Sequence, residues 1–176
     1  MKKTFIMAAL VCVAAIFASC EKKEPTALEL SSLPGKVTVK GYVTFVAQEK
    51  DSGTSIKDAD EKAVENSEIV VLAGMDKDGD AIADAWTSYK ATTDGNGFYE
   101  ITLPCELGKQ IDEVKVQCAF VGKTACLDAD NNAHSDVTAD YFGEGKLATP
   151  AAEGQIYELN VTATPKVLHG DFSYTI

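Results

Sequence analysis

The sequence of 176 residues contains no arginine, so all of its positively charged side chains are lysines. These 16 lysines stand against 27 aspartates and glutamates, which gives a formal net charge of −11 at pH 7. Proteins that bind nucleic acids rely on clustered lysine and arginine, and above all on the bidentate guanidinium group. The composition therefore excludes a nucleic-acid partner, and the acidity is typical of a soluble exported domain.

Motifs for catalysis and for zinc binding are also missing. The chain has only two histidines, His134 and His169, and no two of its five cysteines form a CxxC pair, so neither a zinc site nor a thioredoxin-type site is expected. No G-x-S-x-G or S-x-x-K motif supplies an activated serine. We therefore predict that the chain is not an enzyme, although its many carboxylates leave a glycosidase-like pair open.

The apolar run near the N-terminus, TFIMAALVCVAAIFAS, is too short to cross a membrane. It has 16 residues, whereas a spanning helix needs roughly 20. It follows the basic start MKK and ends at small residues before Cys20, which is the pattern of a signal peptide cleaved after residues 1–19. Cleavage removes two of the 16 lysines and no acid, which leaves 14 lysines, 27 acids and a formal charge of −13.

The residues around the cleavage point, IFASC, resemble the lipobox of bacterial lipoproteins, in which the cysteine becomes the lipid-modified N-terminus. Ala18, Ser19 and Cys20 match, and Phe17 stands where leucine is usual. The resemblance implies a membrane partner through several acyl chains on Cys20, since one chain alone anchors only marginally. The expected location is the cell envelope, at the Gram-negative outer membrane. Ordinary secretory cleavage is the alternative.

Residues 20–34 are charged at first, then contain serine and proline with few large apolar side chains, and this composition predicts a flexible tether. A single domain of about 140 residues is expected from 35 to 176. It contains Cys105, Cys118 and Cys126, an odd number for an oxidising compartment, so we expect one disulfide and one buried thiol. Cys118 is predicted to face the core and could pair with either of the other two.

Alternation of apolar and polar residues predicts a chain of short strands. In KVTVKGYVTFVA, one face carries Val37, Val39, Val43 and Phe45, and Tyr42 lies on the other. Further strands are predicted at SEIVVLAGM, WTSYKATT, FYEITLP, EVKVQCAFVG, SDVTADYF, GQIYELNVTA and HGDFSYTI. Helix signals are confined to KDADEKAVENS, which predicts a turn or two of surface helix.

The tetrapeptide DGNG, Asp94 to Gly97, contains both Asp-Gly and Asn-Gly, which permit the tight turns of paired strands. We therefore predict a β-hairpin over Trp86–Leu103, with Pro104 ending its second strand. Seven or eight such strands indicate an all-β fold, an antiparallel β-sandwich of Ig-like or transthyretin-like type.

The segment TTDGNGFYEITLP resembles the signature of carboxypeptidase-regulatory-like domains, relatives of the transthyretin-like sandwich. The matching residues are Thr93, Asp94, Gly97, Phe98, Ile101, Leu103 and Pro104. GKVTVKGYVTF and SEIVVLAG resemble the first two strands of that family, so the likeness covers roughly residues 35–122. It implies a fold and a non-catalytic role, and it assigns no ligand. The insertion between residues 48 and 67 is longer than is usual in the family.

Two acidic runs have the alternate spacing of calcium loops, in which several oxygens converge on one hard cation. MDKDGDAIADA carries Asp76, Asp78, Asp80 and Asp84, and DADNNAHSD carries Asp128, Asp130, Asn132 and Asp136. Neither run has the glycine at position 6 or the glutamate at position 12 of an EF-hand. Calcium therefore remains a possible cofactor, more so at the first run, and solvated turns are the alternative.

Two functional classes follow. The chain is either a binding or accessory module of the envelope, or an assembly subunit that pairs through strand edges with another envelope protein. Exposed rings at Tyr42, Trp86 and Tyr89 would allow a glycan partner, although a single tryptophan is more often expected in the core.

Overall fold

The computed structural model describes residues 33–80 and 82–170. Within these ranges, all of the regular secondary structure is β-strand. This confirms the predicted all-β class. The predicted signal peptide over 1–19, the lipidation site Cys20 and most of the tether lie outside the described residues, as do residues 171–176 of the predicted last strand.

Thirteen strands follow one another along the described chain. They are β1 Gly35–Phe45, β2 Gln48–Lys50, β3 Ile56–Asp58, β4 Lys62–Ala63, β5 Glu68–Met75, β6 Ala85–Thr92, β7 Phe98–Cys105, β8 Gln110–Ile111, β9 Glu113–Leu127, β10 Ala133–Lys146, β11 Ala151–Ala152, β12 Ile156–Glu158 and β13 Val161–Leu168. Seven of them have eight residues or more, and the other six have two or three.

Nine strands form one sheet in the order β12-β1-β13-β10-β9-β5-β6, with β7 and β4 also paired to β1. The pairs of β1 with β12 and β13 are parallel, and the remaining pairs are antiparallel. The sheet is therefore mixed, whereas the sequence predicts antiparallel pairing throughout. Alternation shows which side of a strand faces the core, but it carries no information about the direction of the neighbouring strand.

The sheet curls around one main core. The core cluster contains residues of β1 and β7 together with residues of β5 and β9, although these two pairs of strands are not neighbours in the sheet. The two halves therefore face each other, an arrangement consistent with a sandwich. A smaller cluster is formed by Ala139, Tyr141 and Ala163.

Strand β1 shows how the sequence pattern produces this core. Val37, Val39 and Val43 are fully buried, as their alternation predicts. Gly41 occupies the same face, where a Cβ atom would lie 2.2 Å from the backbone oxygen of Leu159. Only glycine allows the backbone linking β12 to β13 to approach β1 this closely.

The predicted hairpin over Trp86–Leu103 is wrong, because β6 pairs with β5 and β7 pairs with β1. The turn chemistry itself is present. The Oδ1 atom of Asp94 accepts a hydrogen bond from the backbone N–H of Phe98 at 2.9 Å, and Gly97 has a φ of 77°. The carbonyl of Gly97 accepts a bond from the N–H of Val43 at 2.8 Å. The turn therefore docks on β1 and carries the chain from one half of the sheet to the other.

The segment KDADEKAVENS is extended, so the prediction of helical turns is wrong. It contains the end of β3, the short strand β4 and a turn at Asn66, whose φ is 49°. Val64 is 3% exposed, and its N–H donates to the carbonyl of Val43 at 2.9 Å. The hydroxyl of Thr93 donates to the carbonyl of Val64 at 2.6 Å. Pairing with β1 and burial of this valine outweigh the local helix propensity.

Two strand boundaries also differ from the prediction. Strand β7 continues one residue beyond Pro104, which is tolerated because, among the described residues, a strand is hydrogen-bonded to β7 on one side only. The segment GQIYELNVTA is divided into β12 and β13, and the side-chain oxygen of Asn160 at the break accepts a bond from the N–H of Tyr42 at 2.8 Å.

Candidate functional site

The first acidic run forms the loop between β5 and β6. The two strands pair up to Met75 and Ala85, and the N–H of Asp84 donates to the carbonyl of Met75 at 3.0 Å. The ends of the loop are thereby fixed by the sheet. An acidic run that the sequence places between two strands is thus held as a closed loop at one end of the fold.

Three of the four predicted carboxylates come together in this loop. One oxygen of each of Asp76, Asp78 and Asp84 lies within 4.8 Å of those of the other two. Asp76 is half-buried, and the other two are exposed. Asp80 is outside this group, and its carboxylate accepts a hydrogen bond from the N–H of Ile82 at 2.8 Å. The first run therefore offers three side-chain oxygens to a cation, where the sequence predicts four.

Backbone hydrogen bonds to the same carboxylates shape the loop. Asp76 Oδ1 accepts bonds from the N–H groups of Asp78 at 3.1 Å and Gly79 at 2.7 Å. Asp84 Oδ2 accepts a bond from the N–H of Lys77 at 2.9 Å, and Gly79 adopts a φ of 86° that suits glycine. The carboxylates of Asp76 and Asp84 are thus oriented by the loop's own backbone, as in solvated Asx turns.

Asp112 belongs to the surroundings of this loop and is missed by sequence reasoning. Its Oδ2 atom accepts a hydrogen bond from the N–H of Asp76 at 2.8 Å, and its Oδ1 atom accepts one from the side-chain amide of Gln110 at 3.2 Å. The N–H of Asp112 donates to the carbonyl of Gly74 at 3.1 Å. Only the pairing of β5 with β9 brings this carboxylate to the loop, so no local sequence signal identifies it.

The second acidic run connects β9 to β10 and has a different organisation. Asp128 Oδ1 accepts bonds from the N–H groups of Asp130 at 2.9 Å and Asn132 at 2.8 Å, and Asp128 Oδ2 lies 2.8 Å from Nε2 of His134. The hydrogen bond to His134, followed by those from the backbone, lowers the pKa of Asp128 to about 2. Asp136 lies in the bulge of β10 with a φ of 60°.

Within the described ranges, the three aspartates of this second run do not form a group at metal-ligand distance. Asp128 is engaged by a histidine and by turn amides, and the bulge separates Asp136 from it in the strand register. The geometry of the second run is therefore that of a hydrogen-bonded turn, the alternative that the sequence leaves open.

The three cysteines of the domain are buried free thiols, so the predicted disulfide is not formed. Cys118 and Cys126 both lie on β9, eight residues apart, which places them about 26 Å from each other along an extended strand. They cannot pair. Cys118 is 1% exposed, which confirms its predicted position in the core, and burial raises its pKa to about 11.

Among the described residues, neither histidine belongs to a group of three or more side chains at metal-ligand distance. His134 lies opposite Cys126 in the strand register, but Cys126 is fully buried and burial raises its pKa, so a reactive thiolate is disfavoured there. His169 Nε2 lies 2.8 Å from Oδ1 of Asp140. Both imidazoles thus contact aspartates of the β9–β10 region.

Two aromatic side chains are exposed on separate strands. Tyr42 is 47% exposed and packs edge to face on Phe98, with ring centroids 5.5 Å apart. Trp86 is 40% exposed, which contradicts a place in the core, and the Nζ atom of Lys115 lies 4.5 Å from its ring centroid. Tyr89 instead packs against the core, and burial raises its pKa. Of the three rings considered for glycans, two are accessible.

An open depression lies beside the paired strands β8 and β11 and is lined by Gly108, Lys109, Gln110, Ala152 and Glu153. It contains one lysine and one glutamate as its ionisable groups.

In the described part of the chain, no helix has the length and apolar character needed to span a membrane.

No protein-family model matches the chain, and no curated protein matches it. Among solved structures, it is similar to a 9R-lipoxygenase from Cyanothece PCC8801, with 17% sequence identity and a TM-score of 0.34. The match covers 76% of this chain and 17% of the lipoxygenase, so the chain spans about a sixth of that protein. A likeness this slight has no bearing on the fold or the activity of the chain.

Proposed function

We propose that the chain is a lipoprotein of the bacterial cell envelope whose all-β domain is a non-catalytic binding or accessory module. The module would be of the carboxypeptidase-regulatory-like, transthyretin-like kind, held at the Gram-negative outer membrane by acyl chains on Cys20. The observation that carries the binding role is the convergence of Asp76, Asp78 and Asp84 within 4.8 Å of one another. Calcium is the ligand that this geometry supports best.

The oxygen ligands of the loop favour a hard cation that does not require a strict coordination geometry. Calcium accepts six to eight oxygen ligands in flexible geometry, and these include carboxylates, backbone carbonyls and water. Three carboxylates on an open loop leave space for carbonyls and water to complete the shell. Magnesium requires nearly ideal octahedral geometry and keeps its water molecules, so it would bind this loop less well.

The support for the anchor is the lipobox resemblance at Ala18, Ser19 and Cys20 together with the tether that follows. The support for a non-catalytic role is that the thiols are buried and that burial raises their pKa, which disfavours the nucleophilic thiolate. These observations come from different parts of the chain and are independent of the calcium loop.

The cation site is tested by thermal unfolding of residues 21–176 after chelation, with and without 10 mM calcium and with magnesium as the control. A dissociation constant near 0.1 mM, within the range of extracellular modules, predicts stabilisation of about 2.7 kcal/mol and a rise in Tm of about 5–10 °C. Magnesium should produce a much smaller rise.

Asp78→Asn and Asp80→Asn form a matched pair of variants in the same exposed loop. Asp78→Asn removes a carboxylate of the converging group and should abolish most of the calcium shift, whereas Asp80→Asn lies outside the group and should retain it. Equal shifts in the native chain with calcium and magnesium, or an equal loss in both variants, would contradict the assignment.

The anchor is tested separately by expressing the full chain in a Gram-negative host. We expect the chain in the membrane fraction, with a mass spectrum that shows acyl groups on the peptide beginning at Cys20. Cys20→Ala should move the chain to the soluble fraction. A native chain that is soluble and unacylated would contradict the lipoprotein assignment without affecting the calcium test.

A second candidate function is that of a structural or assembly subunit that pairs through strand edges with another envelope protein. The observation that favours it is the position of β6 at the end of the main sheet, where β5 is the one strand paired with it in the described part of the chain. Pull-down of the native chain from solubilised envelopes, compared with a variant carrying proline in β6, would test it. Loss of a specific partner only in the variant is the expected result.

A further inference from the structure

Strand β6, Ala85–Thr92, is an open edge of the main sheet. It pairs with β5 over its full length without a register shift, and among the described residues no strand is hydrogen-bonded to its other side. A strand in this position presents a row of backbone donors and acceptors that another extended chain can use.

The other ends of the sheet are less suited to such pairing. Strand β7 carries Pro104, which has no N–H to donate, and β12 has only three residues. The sequence of β6, AWTSYKAT, contains no proline, no glycine and no acidic residue. Of these edges, β6 therefore has the longest uninterrupted row of backbone groups.

The exposed side chains of β6 are nearly free of net charge. Lys90 forms an ion pair with Glu68 at 2.8 Å, and Lys115, which lies over the ring of Trp86, forms one with Glu113 at 2.9 Å. The whole chain has a formal charge of −11. Two copies would therefore meet strong mutual repulsion over much of their surface, but very little across this edge.

From this edge, we propose that two copies of the chain associate through β6, antiparallel, about a two-fold axis at Ser88. In this register, Trp86 of each copy lies directly opposite Lys90 of the other, and Ser88 lies opposite itself. An ammonium group over an indole ring is attractive, and more so as the edge loses water. The exposed face of β6 is thus complementary to itself.

The registers with the axis at Lys90 or at Tyr89 lack this complementarity. A two-fold axis at Lys90 would place two lysines directly opposite each other, and one at Tyr89 would place them at diagonal positions within reach. An axis at Trp86 would pair only a few residues of β6. The axis at Ser88 uses almost the full strand and separates the two lysines, so the side chains favour it over these alternatives.

Cysteine cross-linking of the full chain in membranes tests this register. Residues opposite each other across antiparallel strands have Cβ atoms about 4.5–5.5 Å apart, so Ser88→Cys should form an intermolecular disulfide on mild oxidation. Thr92→Cys, exposed on the same face of the same strand, should cross-link about tenfold less because its counterpart is not opposite. The unmodified chain, whose domain thiols are buried, is the background control.

A second measurement uses sedimentation equilibrium of residues 20–176 with Cys20→Ser, which removes the effect of the lipid. We expect reversible dimers, with association at least tenfold weaker in Trp86→Lys, where lysine would oppose Lys90, and no weaker in Thr92→Lys, where lysine would oppose Asp84. Monomers up to 0.5 mM, or equal cross-linking of Ser88→Cys and Thr92→Cys, would overturn the proposal. Calcium shifts that persist in such a monomer would leave the proposed binding function standing.

Discussion

The hydroxyl of Tyr99 donates a hydrogen bond to the backbone carbonyl of Leu159 at 2.6 Å, across 60 positions of the sequence. Tyr99 is 1% exposed, and Leu159 lies in the link between β12 and β13. The same carbonyl limits the space at Gly41 on β1. One carbonyl therefore bonds to β7 and lies close against β1, at the point where the parallel pairing of β1 changes from β12 to β13.

Tyr99→Phe should lower the free energy of unfolding by about 1–2 kcal/mol, because a part-buried carbonyl loses its hydroxyl partner while the ring remains packed. Tyr42→Phe is the control, since Tyr42 is 47% exposed and its change should stay within about 0.5 kcal/mol. Urea unfolding of both variants measures the difference. Equal effects in the two would show that the bond to Leu159 contributes nothing particular.

Gly41→Ala should destabilise the domain by about 3 kcal/mol or more, because its Cβ atom would lie 2.2 Å from the Leu159 oxygen and the strands would have to separate. Gly53→Ala is a matched control, since no atom lies within 4 Å of a Cβ at that position. It should change stability by less than about 0.5 kcal/mol. Denaturant midpoints of the two variants provide the test, and a Gly41→Ala chain of native stability would refute the close approach.

Asp128 gives a pH dependence whose sign follows from its lowered pKa. Its folded pKa of about 2 lies below the unfolded value of 3.8, so its contribution to stability is complete above pH 4 and is lost as the pH falls through about 2. Asp128→Asn should therefore be less stable than the native chain at pH 7, and this gap should close between pH 4 and pH 2.

Asp130→Asn, in the same exposed turn, is the comparison for that experiment. It should show a smaller gap at pH 7, because the contact with His134 is made by Asp128. Chemical unfolding at a series of pH values separates the two cases. A gap for Asp128→Asn that stays constant down to pH 2 would be incompatible with the lowered pKa.

The sequence predicts which side chains of a strand are buried, but it does not predict which strands pair with each other. The alternation of Val37, Val39 and Val43 identifies the inner face of β1, since side-chain direction in a strand depends only on position. The residues of DGNG likewise predict a tight turn. Whether this turn closes a hairpin or carries the chain to the other half of the sheet depends on its contacts with β1. Long-range pairing decides such cases, and no local pattern encodes it.

The same limit applies to the acidic loop. Asp78 and Asp80 are equivalent in a spacing rule, yet only Asp78 joins the converging carboxylates, while Asp80 accepts the N–H of Ile82. Asp112 comes to the loop from a distant segment through the pairing of β5 with β9. The spacing of acidic residues can therefore identify a candidate loop. Which carboxylates come together there depends on the backbone turns of the loop and on the neighbouring strands.

The cysteines provide a test of the core itself. Cys105, Cys118 and Cys126 are at most 5% exposed and remain unpaired, so a thiol reagent should leave all three unmodified in the folded chain and modify all three after unfolding without reductant. Ser88→Cys adds an exposed thiol that should react at once and so controls for the reagent. Modification of only one thiol after unfolding would reveal a disulfide between the other two. Because Cys118 and Cys126 share one strand, such a disulfide would have to include Cys105, and the ends of β7 and β9 would then lie elsewhere.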